Sequence, residues 1–60
     1  MTDQLRTPRE VAAQLGTSTE TLKRWRNAGE GPPAVRIGGQ WRYRAEAVAA
    51  WIDAQPVTAG

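Results

Sequence analysis

The chain contains no cysteine and no histidine. The first absence removes a disulfide framework and a thiolate nucleophile, and the two together remove the usual zinc ligand sets. Neither a long apolar run nor a signal-peptide pattern occurs, so a soluble cytoplasmic protein without a membrane partner is expected. Length is lacking too. Sixty residues make one small domain, which buries only about 60% of its unfolded surface and has no room for an enclosed catalytic cleft. No nucleophile and base pair or metal cluster can be assembled, so no enzyme and no cofactor is expected. Internal repeats, low-complexity tracts and a second domain are all missing, and residues 5 to 54 are expected to form the ordered core of a single domain.

What the chain does have is positive charge in one place. The formal net charge is only +2, but residues 18 to 44 hold Lys23, Arg24, Arg26, Arg36, Arg42 and Arg44 against Glu20 and Glu30. Residues 45 to 60 carry only Glu46 and Asp53. Clustered cations with few compensating acids fit a phosphate-backbone partner, although a solvated face has the same composition.

The stretch Thr17 to Asn27, TSTETLKRWRN, lies at the centre of that charge. At about 100° per residue, Leu22 and Trp25 fall on one side of a helix while Glu20, Lys23, Arg24 and Asn27 project from the other. One face packs and the other is free. Thr17 or Ser18 is placed to cap the first turn, Thr17 with Glu20 fits a capping box, and Gly29 ends the helix. Ahead of it, Thr7-Pro8-Arg9-Glu10 starts a first helix, with Thr7 as cap, Pro8 in the first turn and Glu10 completing the box. That helix should run from Pro8 to about Leu15, bury Val11, Ala12 and Leu15, and stop at Gly16. A Gly-containing link this short predicts a helix-turn-helix, an arrangement shared in outline with ordinary helical hairpins.

Glu30-Gly31-Pro32-Pro33 reads as an extended linker. Beyond it, AVRIGGQWRYR alternates apolar residues with arginines and predicts a β-hairpin around Gly38-Gly39. A two-residue turn would pair Val35 with Arg42 and Arg36 with Trp41, mixing the faces. A three-residue loop from Gly38 to Gln40 pairs Ile37 with Trp41, Arg36 with Arg42 and Val35 with Tyr43, giving one apolar face and one arginine-lined face. The second is expected, although that loop type usually ends in glycine and here ends in Gln40. Like charges facing each other across it imply an anion between them. Val48, Trp51 and Ile52 place a third helix from Ala45 to Ala54 or Gln55, weakly capped by Arg44 and stopped by Pro56. Residues 1 to 6 are expected to fray, with Leu5 joining the core, and VTAG is a loose tail. The fold class is therefore mainly α with a small β-hairpin. Trp25 and Trp51 sit at core spacing, whereas Trp41 suits either packing on the second helix or stacking on bases.

SxxTLxRW at Ser18 to Trp25, PPAVRIGGQWRYR from Pro32, and the closing AVxxWI together resemble the small winged-helix excisionases of the MerR-like superfamily. Actinobacterial phage members are the nearest in pattern, and the likeness covers about residues 5 to 54. The resemblance implies a winged helix-turn-helix: helix, turn, recognition helix in the major groove, two-stranded wing on the backbone or minor groove, closing helix. It also implies molecules side by side on attachment-site repeats of double-stranded DNA, bending it in a bacterial host cell and directing a phage integrase toward excision. A long basic tail found in some excisionases is lacking here.

On that pattern Glu20, Lys23 and Arg24 meet base edges or nearby phosphates, with Asn27 on the same face. Arg24 is the first choice for guanine, because its planar fork meets O6 and N7 together. Glu20 either accepts from a cytosine N4 or serves the capping box. Lys23 and Arg26 are expected on phosphates, and so are Arg36, Arg42 and Arg44 of the wing beside Gly39 and Gln40 of its tip. Ser18 and Thr19 suit a phosphate at the helix start. With no dimerisation segment after the third helix, self-contact is expected head to tail on DNA. A small transcription regulator, or a recognition or interaction module of a phage packaging complex, would use the same residues.

Overall fold

A computed structural model of the chain describes residues 4–57. The elements in order are β1 (Leu5–Arg6), α1 (Pro8–Leu15), α2 (Thr19–Asn27), β2 (Val35–Ile37), β3 (Gln40–Arg44) and α3 (Ala45–Asp53). Three helices and a small antiparallel sheet form a winged helix-turn-helix, as expected from the pattern of the sequence. The sheet has three strands, not two. Leu5 and Arg6, expected to fray, pair with Arg44 and Tyr43, so the sheet order is β1-β3-β2. Leu5 consequently stays 46% exposed and does not enter the core as anticipated. A two-residue strand has no alternation to betray it; what holds it is the ladder to β3, extended where Ala45 N–H donates to the Gln4 carbonyl at 2.8 Å.

Local chemistry accounts for the helix ends. Thr7 N–H donates to Glu10 Oε1 at 2.8 Å while Glu10 N–H donates to Thr7 Oγ1 at 3.1 Å, the reciprocal box expected for α1. Gly16 closes that helix in the left-handed region, and Thr17 N–H reaches back to the Ala12 carbonyl at 2.8 Å. The same pattern ends α2, where Glu30 N–H donates to the Trp25 carbonyl at 2.7 Å beyond a left-handed Gly29. Only residues 16–18 separate the two helices, and α1 packs directly on α2. Arg44 precedes α3 without a side-chain cap bond, in keeping with a start that the sequence marks poorly.

The core is Val11, Ala12, Leu22, Tyr43 and Val48, one or two residues from each helix and one from β3, with Leu15, Trp25 and Ala34 packed around it. Trp25 of α2 and Trp51 of α3 lie with ring centroids 5.9 Å apart, tilted by 40°. Offset or tilted rings at this distance are favoured by their quadrupoles, and the pair braces α2 against the closing helix. Both tryptophans are therefore scaffold, as their spacing predicts.

The hairpin adopts the register that facial sorting disfavoured. Val35 pairs with Arg42, Arg36 with Trp41 and Ile37 with Gln40 across a two-residue turn. Gly38 and Gly39 have φ of 57° and 80°, a requirement of the type I′ turn whose twist matches the strands it joins. Two adjacent glycines meet it without steric cost, whereas Gln40 could not supply the left-handed residue that the three-residue loop needs. Turn chemistry therefore outweighs the sorting of faces. Trp41 and Tyr43 share the inward face with Arg36, while Ile37, 51% exposed, stands outside beside Gln40.

Candidate nucleic-acid interface

The polar face of α2 is assembled by its cap and its period. Ser18 is the cap: its Oγ accepts from Thr21 N–H at 3.1 Å and donates to Thr21 Oγ1 at 3.1 Å. Thr21 thus occupies the third helical position, and the box expected between Thr17 and Glu20 does not form. Glu20 is left with its carboxylate exposed at the second position, its structural alternative removed. Of the two hydroxyls expected on phosphate, that of Thr19 is exposed, whereas that of Ser18 is already committed to the cap.

From Glu20 onward, steps of three and four residues carry Lys23, Arg24 and Asn27 onto the same face. All four are exposed and border one shallow concavity. Among the described residues Arg24 is held by one long bond from Nη2 to Thr21 Oγ1, 3.4 Å, on a side chain that is otherwise exposed. Neither Lys23 nor Arg24 is locked to a carboxylate among the described residues. Glu20 in the first turn and Arg24 in the last also complement the helix dipole, a contribution of about 0.3–1 kcal/mol each that does not require DNA. A dipole role needs no shared face, so the gathering of four polar side chains around one concavity is the feature that points outward.

Arg26 belongs elsewhere. Expected on phosphate, it is turned inward: Nη1 donates to the Tyr43 hydroxyl at 3.2 Å and its guanidinium carbon lies 4.6 Å from the centroid of Trp41. Its Nε is buried without a partner among the described residues. The spacing held the clue, because Arg26 follows Leu22 by four residues and so shares the packed side of the helix.

The wing's cations are split between two faces, not lined along one. Arg36 is exposed on the side of Trp41, its guanidinium carbon 5.5 Å from the ring centroid. Pairing it with an aromatic in place of Arg42 exchanges a cross-strand repulsion for a cation–π contact worth about 0.5–1 kcal/mol. Arg42 and Arg44 lie on the opposite face with Gln40. Arg42 is half-buried and tied back, donating from Nη1 to the Trp41 carbonyl at 2.7 Å and from Nη2 to Gln40 Oε1. Arg44 is exposed at the junction with α3. The anion anticipated between Arg36 and Arg42 therefore has no such place. Trp41 is half-buried and serves as the platform on which α2 and the wing meet, the packing alternative of its two readings.

Behind the interface, Glu10 of α1 has its carboxyl held below the usual carboxylate range, first by the Thr7 backbone N–H. Partial desolvation opposes this, while the Thr7 hydroxyl and the charges of Arg6 and Arg42 support it.

Gly39 and Gln40 end the wing as an exposed tip in which the adjoining glycines carry no side chain. The outward face of α2 and the wing tip are the two exposed polar surfaces that a duplex groove could admit. No group of three or more potential ligands is gathered for a metal among the described residues, and no helix there is long and apolar enough to cross a membrane.

A family model described as a helix-turn-helix domain matches residues 7–56 of the chain. No curated protein matches it.

Proposed function

The chain belongs to the helix-turn-helix domain family, a fold that implies a DNA partner, and from this premise we propose that it is a sequence-specific architectural DNA-binding protein of the excisionase class. The observation that carries the reading is the outward face of α2, with Glu20, Lys23, Arg24 and Asn27 exposed on it around one shallow concavity. In this reading α2 lies in the major groove and the wing follows the adjacent backbone or minor groove. Arg24 takes guanine, Glu20 accepts from cytosine, and Lys23, Thr19, Arg36, Arg44 and, once released from Trp41 and Gln40, Arg42 meet phosphates.

Size favours an array over a lone binder. One module of this kind covers about 600–1,000 Å² on DNA, too little for tight and selective binding by itself. Copies seated head to tail on closely spaced repeats would add their contacts, bend the duplex and assist a phage integrase in excision. The family includes excisionase-like DNA-binding proteins, and the order of motifs from Ser18 to Ile52 resembles MerR-like phage excisionases.

Selection from a randomised duplex library yields the preferred site. Gel-shift titration then compares one copy of that site with three copies in helical phase. Tighter binding per site on the triple array is expected, and equal affinity per site rules the array out. Recombination by a phage integrase whose attachment sites contain the selected sequence, with and without the protein, tests the excision step; no change in the direction of recombination excludes it.

A further inference from the structure

We propose that Arg26 is a positioning residue that sets the wing relative to the recognition helix and touches no DNA itself. This rests on the DNA-binding reading above and assigns a residue which that reading leaves without a role.

The backbone of α2 packs more closely on α1 than on the wing, and β3 is held mainly by α1, α3 and its neighbouring strands. Helix and wing are therefore joined largely through side chains. Arg26, near the end of α2, crosses to β3 at two points: the Tyr43 hydroxyl at 3.2 Å and the face of Trp41 at 4.6 Å. Tyr43 is fully buried, so the hydroxyl it offers is a fixed anchor. A planar guanidinium that stacks on one ring and donates to the hydroxyl of another has little freedom left, which an ammonium could not match.

The chain continues to a third cation. Arg36 of β2 lies over the same indole at 5.5 Å, exposed on its outer side. Arg26, Trp41 and Arg36 make a relay from the inner side of α2 to a free cation on the wing. Both guanidinium groups lie over one ring, so the seat that Arg26 gives Trp41 also sets where Arg36 stands, exposed to solvent where a phosphate would lie. Arg26 would thus act on DNA through Arg36 and the wing's placement.

The test is a thermodynamic cycle on the library-selected duplex, read by fluorescence anisotropy across a range of salt concentrations. Arg26→Met and the gentler Tyr43→Phe are made in the native chain and in one carrying Arg36→Ala and Arg42→Ala. In the native background each is expected to weaken binding by about three- to tenfold with the salt slope unchanged. In the wing-neutralised background the loss should shrink to within about twofold. Arg26→Lys, which keeps the charge but loses the planar stack and the fork, should restore only part of the affinity. A salt slope lower by about one, or a loss of equal size in both backgrounds, overturns the proposal, because Arg26 then meets phosphate directly. A lowered melting temperature with unchanged affinity of the folded protein also overturns it. If Arg26→Met does not fold, Tyr43→Phe decides alone. Absence of any duplex binding by the native chain brings down the DNA reading and this inference together, whereas an additive cycle removes only the inference.

Discussion

Gly31 lies so close to Trp25 that a Cβ placed on it would stand 2.9 Å from Cε3 of the indole and 3.1 Å from its Cβ. Its φ of 76° adds a second obstacle to any side chain. The linker that leads from α2 to the wing is thereby pressed onto the ring that also meets Trp51. Gly31→Ala is expected to destabilise the fold by about 2 kcal/mol through strain and overlap together. Chemical denaturation measures it, and a midpoint equal to that of the native chain contradicts the close approach.

Arg24→Ala should cost about 1–3 kcal/mol on the library-selected duplex and relax base preference at one position. Stability should hardly change, because the side chain is exposed and bonded only weakly to Thr21. Anisotropy on the selected duplex and its single-base variants gives both quantities. Undiminished binding would remove α2 as the reading element.

Arg42→Ala is expected to weaken all duplexes alike and lower the salt slope by about one. The structure adds a condition, since the Arg42 guanidinium is occupied by Trp41 and Gln40 and must exchange those bonds for a phosphate. A conservative Arg42→Lys should therefore recover most of the affinity and of the slope, since it keeps the charge without the fork that ties it back. Titrations at several salt concentrations decide, and an unaltered slope places Arg42 off the DNA.

Acid should weaken the start of α1. The folded protein lowers the Glu10 carboxyl from its ordinary value of 4.5, so its ionised form is favoured by folding. The resulting stabilisation is present above that ordinary value and is lost as the pH falls through the lower, folded one. Melting curves from about pH 6 to about pH 3 should decline less steeply for Glu10→Gln than for the native chain. Parallel declines would show that the box with Thr7 is not formed.

Elements defined by neighbouring residues were legible in the sequence, and those defined by distant ones were not. Thr7, Pro8, Glu10 and Gly16 bound α1 at its observed ends because caps act within a turn. Two consecutive hydroxyls at Thr17 and Ser18 left the start of α2 ambiguous by one residue, and the structure chooses Ser18. β1 escaped notice because Leu5 and Arg6 become a strand only through β3, which lies nearly forty residues away. The hairpin turned on a conflict between apolar sorting and turn geometry, and Gly38-Gly39 settled it. Among the candidate contacts, the face containing Glu20, Lys23, Arg24 and Asn27 followed from helical period alone. Arg26 departs from its expected place because its four-residue step from Leu22 prevails over its charge and turns it toward Tyr43.

The five side chains of the core include none from the outward face of α2. Adhesive and lettering are kept apart in this molecule, so Glu20, Lys23, Arg24 and Asn27 form a vocabulary that can be rewritten while the scaffold stays intact. A lineage drifting toward a new operator, or an engineer randomising those four positions, would change the address without having to rebuild the house.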